Sequence, residues 1–131
     1  VDRDETRKYG ILSVRDRAGK LLHADGMVEK PAPEDAPSTS AVVGRYVLDG
    51  SIFETLATQE PGVGGEIQLT DAIAAGIAET GLSGFAFSGT RFDCGSKQGM
   101  LAAELYLAQQ DPAFDVVLDN FISAHASATA A

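Results

Sequence analysis

Two short apolar runs, Tyr9 to Val14 and Leu21 to Glu29, are separated by Arg17-Ala18-Gly19-Lys20 and stopped by Pro31. This arrangement constrains the fold more than any other feature. The first run is short and partly β-branched, which favours a strand, and the Gly-containing link favours a turn. The second run predicts the returning strand, with a bulge or second turn near Asp25-Gly26. The resulting hairpin delivers Glu29 and Lys30 at a strand end. Three of the five prolines lie between Pro31 and Ser40 and predict a loop.

The remaining segments alternate in character. Ala41 to Leu48 predicts a buried strand, with Gly44 marking a bulge or a close approach by backbone or ligand. Ser51-Ile52-Phe53-Glu54 has the spacing of a capping box before a short helix. Pro61 to Gly65 predicts a flexible loop. Leu69, Ile73 and Ile77 recur on one helical face that Gly81 closes. Phe85 to Phe92 predicts one or two strands around Gly89. Ser96 caps a helix to about Gln110, with Met100, Leu101, Leu105 and Leu107 on its core side. Asp111-Pro112 starts another helix that reaches about His125, and 123–131 reads as a frayed tail. This mixture of α and β lacks the regular alternation of a complete doubly wound sheet.

The 131 residues suit one domain. No apolar stretch approaches the roughly 20 residues of a membrane span. The net charge of −9 argues against a nucleic-acid backbone or an anionic membrane as partner. The lone Cys94 excludes an intrachain disulfide and a cysteine-based zinc site, and fits a reducing cytoplasm. It reads as a small buried residue. The start, Val1-Asp2-Arg3, has no methionine and runs quickly into a strand, so a larger chain is expected upstream.

Several residues are candidates for chemistry. Glu29 and Lys30 join a hydroxyl acceptor to a cation, and both line one pocket if the strand end twists into the proline loop; a solvated strand end is the plain alternative. Asp93, between Phe92 and Cys94-Gly95, sits where a strand ends before a glycine. It is either a metal-binding carboxylate or a turn cap. Gly64 to Asp71 carries two acids and an amide beside flexible backbone. It either closes over a ligand or caps the next helix through Thr70 or Asp71. Lys8 and Lys97 either reach phosphate or are surface charges. His23 and His125 are too isolated to form a recognisable pair, and no Walker or Rossmann phosphate loop is present.

The segments RKYGIL, GMVEKP, APSTSAVVGRYVL, IFETL, PGVGGEIQLTDAI and TRFDCGSKQGML, in that order, resemble bacterial UTP–glucose-1-phosphate uridylyltransferases (UDP-glucose pyrophosphorylases). GGEIQLTDAI and the aromatic-Asp-Cys-Gly segment are the most specific of them. The resemblance covers Val1 to about Pro112 and is to the C-terminal half of such enzymes. It implies an α/β fold: the C-terminal part of a Rossmann-like sugar nucleotidyltransferase, with mixed-sheet strands and C-terminal helices. On this view 1–131 is the sugar-phosphate-binding portion of a single nucleotidyltransferase domain.

The resemblance also implies a reaction, in which glucose 1-phosphate attacks UTP to give UDP-glucose and pyrophosphate with Mg²⁺. By position, Glu29 would accept from glucose hydroxyls, Lys30 would bind the sugar phosphate, and Gly10 would offer backbone near the sugar. Val43 and Gly44 would line the sugar pocket, Asp93 would be a metal carboxylate, and Glu66 and Gln68 would shape a nearby wall. Thr39 stands where the family usually has Asn. The family's triphosphate loop is not in this sequence, so the isolated chain is expected to be inactive. The expected assembly is a homodimer or homotetramer. Two alternatives remain: a thymidylyl- or other nucleotidyltransferase acting on a hexose 1-phosphate, and a non-catalytic oligomerisation module.

Overall fold

The structure is a computed structural model that describes residues 1–128. Its residues fall into two compact units, Val1–Phe87 and Ser88–Ala131. In the first, a 3-10 helix at Arg3–Lys8 leads into strand β1 (Gly10–Ala18), which turns into β2 (Leu21–Glu29). The two strands pair antiparallel, and β3 (Leu82–Phe85) pairs antiparallel with β2, so β2 is central. The turn requires a positive φ, and Gly19 supplies it at +63°. Ser13 pairs with Gly26 and Val14 with Ala24, so Asp25 is left over as the expected bulge. The three described strands form a wholly antiparallel sheet.

The core forms on one side of this hairpin. Leu12, Ala24 and Met27 pack with Ile73 of helix α2 (Leu69–Thr80), and Ile52 of helix α1 (Ile52–Thr58) joins them with Val14, Val42, Leu69 and Leu82. The helix spacing of Leu69 and Ile73 therefore does what the sequence predicts. Gly81 closes α2 at φ +70°, its amide bonded to the Ile77 carbonyl.

Residues 41–48 do not form the expected buried strand. Ala41 bridges Ile11, and the Val42 amide bonds the Gly10 carbonyl at 2.9 Å. Among the described residues no ladder continues from there, and Val47 is fully exposed. A strand holds only where its amides and carbonyls find partners. The capping box at Ser51 is also absent. Ser51 is itself helical, and its amide donates to Asp49 Oδ1 at 2.9 Å, so Asp49 caps the turn. Phe85 to Phe92 holds only the end of β3; the strand begins earlier, at Leu82, where β2 offers an edge.

The second unit contains helix α3 (Lys97–Ala108), a 3-10 turn at Pro112–Phe114 and helix α4 (Asp115–Ala128). Ser96 Oγ accepts from the Gly99 amide at 3.0 Å, the expected cap. Asp111 accepts from the Ala113 amide ahead of Pro112. The apolar residues Met100, Leu101, Leu105 and Leu107 are exposed rather than core-facing, and Ala103 is the buried residue of α3. Helix α4 runs through 123–128, where a frayed tail was expected, because alanine has the highest helix propensity. Residues 129–131 of that tail lie outside the described residues. No described helix is long and apolar enough to cross a membrane.

Candidate functional site

The hairpin ends with Gly10 opposite Glu29, and the Lys30 amide adds one more bond, to the Tyr9 carbonyl at 3.0 Å. Lys30 has φ +46°, the one positive φ among the described non-glycine residues. A side chain in this region costs about 1–2 kcal/mol, and the following Pro31 further limits its backbone. The strain turns the chain off the strand at this point. It also puts Glu29 and Lys30 on the same side, although neighbours on a regular strand point oppositely. Lys30 Nζ lies 3.5 Å from Glu29 Oε1.

The two side chains differ in exposure: that of Glu29 is 11% exposed and that of Lys30 49%. Glu29 Oε2 accepts from Thr70 Oγ1 at 2.5 Å. Thr70 is buried in the first turn of α2, so a helix terminus adjoins the carboxylate, where a negative charge is favoured. Gly10 completes the surround. A Cβ there would lie 3.0 Å from Met27 Cε and Val42 Cγ2 and 3.3 Å from Glu29 Oε2, so only glycine fits without displacing its neighbours. Lys30 also lines an open recess of about 310 Å³ with Arg7, Ala32, Pro33 and Glu34. Tyr46 is near enough to feel Glu29: burial first, and then the carboxylate's charge, raises its phenol above the ordinary tyrosine value. It stays a neutral donor at neutral pH.

The other expected residues are placed as follows. Val43 is half-buried, and Gly44 is exposed at φ +69° with open space around it. Gln68 Nε2 donates to Glu66 Oε2 at 3.3 Å, and the Glu66 carbonyl receives the Gly62 amide at 2.9 Å, which closes the 62–66 loop on itself. Gly62 lies against the Asp71 carboxylate, which would have to shift to admit a Cβ. Lys8 is paired with Glu5 at 2.9 Å.

Asp93 belongs to the second unit. Its Oδ1 accepts from the Gly95 amide at 3.1 Å and its Oδ2 is 3.7 Å from Arg91, so it caps its own turn. Its side chain is exposed, and Cys94, expected to be buried, is exposed as well. Among the described residues no three His, Cys, Asp or Glu side chains gather to hold a metal. A lone carboxylate still suits Mg²⁺, which takes one or two and completes its shell with substrate oxygens and water.

Thr70 is the member of this site that sequence reasoning missed, and Tyr46 is a neighbour whose phenol feels the Glu29 charge. Thr70 reads as a cap candidate, and nothing local ties it to a carboxylate 41 residues away. Tyr46 lies within a segment read as a plain strand.

Residues 1–110 match the family model described as nucleotidyl transferase. The chain belongs to the nucleotidyl transferase family. It is 52% identical over 97 residues to a UTP–glucose-1-phosphate uridylyltransferase of Komagataeibacter xylinus, covering 74% of this chain and 34% of that protein. A Pseudomonas aeruginosa enzyme of the same name is 46% identical over 103 residues, covering 79% and 37%. A UDP-glucose pyrophosphorylase solved with UDP-glucose superposes with a TM-score of 0.79 at 38% identity, covering 85% of this chain and 42% of that one. A UTP-bound homologue from Acinetobacter baumannii gives 0.75 at 35% identity, covering 93% and 42%. This nucleotidyl transferase chain thus spans about a third to two-fifths of the length of the relatives it matches.

Proposed function

We propose that this chain is the sugar-phosphate-binding portion of a UTP–glucose-1-phosphate uridylyltransferase. The observation that carries the reading is the strained strand end that sets a held carboxylate, Glu29, beside a half-exposed cation, Lys30, next to Gly10. The similarity to proteins bearing that name supports it.

The chemistry follows from two anionic substrates. A phosphate oxygen of glucose 1-phosphate forms a bond to the α-phosphorus of UTP, the bond from that phosphorus to the bridging oxygen breaks, and pyrophosphate leaves. Such a transfer needs in-line placement and charge neutralisation more than covalent help from the protein. Lys30 supplies positive charge at the sugar phosphate. Glu29 accepts from glucose hydroxyls, and Gly10 lets the backbone approach the ring. Val43 and Gly44 line the pocket, and Glu66 and Gln68 form a wall beside it. Bound Mg²⁺ would supply further charge neutralisation; Asp93, in the second unit, is proposed separately as a carboxylate for it. The exposed, unpaired Cys94 fits a reducing cytoplasm.

The test is pyrophosphate release from UTP and glucose 1-phosphate by the complete polypeptide carrying this sequence. Turnover is expected there and not from the 131 residues alone. Lys30→Met should lower kcat/KM by roughly a hundred- to a thousand-fold, the scale of one well-placed electrostatic donor. An unchanged kcat/KM in that variant contradicts the assignment. Preference for a different nucleoside triphosphate would favour the thymidylyl or another nucleotidyltransferase instead.

A second reading, subunit contact, is favoured by the exposed Leu107 of α3 and Val116, Phe121 and Ile122 of α4. We propose a homodimer or homotetramer on that ground. A monomer by light scattering at high concentration would remove it.

A further inference from the structure

The two oxygens of Glu29 have different surroundings. Oε2 receives the Thr70 hydroxyl at 2.5 Å, a length typical of a charge-assisted bond, and faces Gly10. Oε1 lies toward Lys30, at 3.5 Å, on the more exposed side. The terminal torsion of a glutamate is broad, so the plane of a carboxylate with no firm partner turns about that bond. A donor from a buried side chain on a helix removes that freedom. Thr70 is 6% exposed and sits in α2, a twelve-residue helix packed on the core through Ile73.

We propose that Thr70 is a positioning residue: its hydroxyl fixes the plane of the Glu29 carboxylate, committing Oε2 to the protein and leaving Oε1 for the incoming sugar. This rests on the reading of Glu29 as acceptor for sugar hydroxyls. A carboxylate fixed in advance gives directional acceptance, whereas a swinging one must be ordered when the ligand arrives.

The test uses the complete polypeptide carrying this sequence, with Thr70→Val, which keeps the shape and removes the hydroxyl, and Thr70→Ser, which keeps the hydroxyl. Two quantities are measured. One is the ¹³C resonance of the Glu29 carboxylate in the ligand-free protein. The other is affinity for glucose 1-phosphate and for inorganic phosphate, which needs Lys30 and not Glu29. The proposal expects Thr70→Val to move the Glu29 resonance and weaken glucose 1-phosphate about ten-fold, the scale of a hydrogen bond to a charged group. Phosphate affinity should stay constant, and Thr70→Ser should restore both wild-type values. Equal weakening of both ligands would reduce Thr70 to a structural role and overturn the proposal, as would unchanged sugar-phosphate binding or failure of the serine variant to restore it. If the unsubstituted chain binds no glucose 1-phosphate, the proposed function falls. The Glu29 resonance then decides separately: a shift in Thr70→Val upholds the positioning contact, and no shift overturns it.

Discussion

The two units of this chain are built on opposite terms. The first has a closed apolar core: Leu12, Ala24, Met27 and Ile73 are buried, and the hairpin, α1 and α2 all contribute to it or pack against it. The second has regular helices with good local signals and almost no burial. Ser96 and Asp111 cap as their sequence demands, yet Met100, Leu105, Val116 and Phe121 remain exposed and Ala103 is the buried residue of α3. The helices there show local signals, caps and propensity, without the tertiary packing that holds the first unit and that supplies most helix stability in folded proteins. The strained Lys30 backbone lies in the packed unit, where surrounding structure can sustain it.

Core truncation breaks this comparison most sharply. Leu12→Ala, at a site 3% exposed, should cost about 2–5 kcal/mol, since it removes buried methyls and leaves a cavity. Leu107→Ala, at a site 63% exposed, should stay within about 0.5 kcal/mol. Denaturant unfolding of both variants measures the difference, and equal losses would mean that Leu107 is covered in solution.

Capping reverses the ranking of the units. Ser96→Ala removes an observed side-chain cap and should cost about 1 kcal/mol. Ser51→Ala removes no bond to the helix amides, only the exposed hydroxyl contact with Asp49, and should stay within about 0.5 kcal/mol. Amide exchange at the first turns of α3 and α1 reads both. A large effect at Ser51 would restore the capping box that the structure lacks.

The smallest effect is a pH dependence at Asp49. Hydrogen bonds from the Ser51 amide first, and then from its hydroxyl, hold this carboxyl below the usual aspartate range. A depressed carboxylate contributes stability that is present above its unfolded value and lost as pH falls through the folded one. Protection of the Ser51 amide should therefore persist through the ordinary aspartate range and vanish only below it. Loss at or above that range would contradict the Asp49 cap.

What the sequence could reveal follows the same division. The hairpin, its bulge near Asp25, α2 with its Gly81 stop, and the Ser96 and Asp111 caps all depend on residues close together in the chain, and all were legible. Residues 41–48 were misread because β-branched composition says nothing about whether a ladder partner is present. The apolar face of α3 was misread because periodicity identifies a stripe but not what covers it. At the candidate site, Gly10, Glu29 and Lys30 were legible and are brought together. Thr70 was not, because its contact with Glu29 exists only once α2 has packed against β2.

The most direct test is titration of glucose 1-phosphate into the isotopically labelled 131-residue protein, followed by the backbone resonances. The account predicts saturable shifts centred on Gly10, Glu29 and Lys30, with inorganic phosphate reproducing only those near Lys30. Saturating ligand that leaves these three unmoved, or that moves only residues of the second unit, would contradict it.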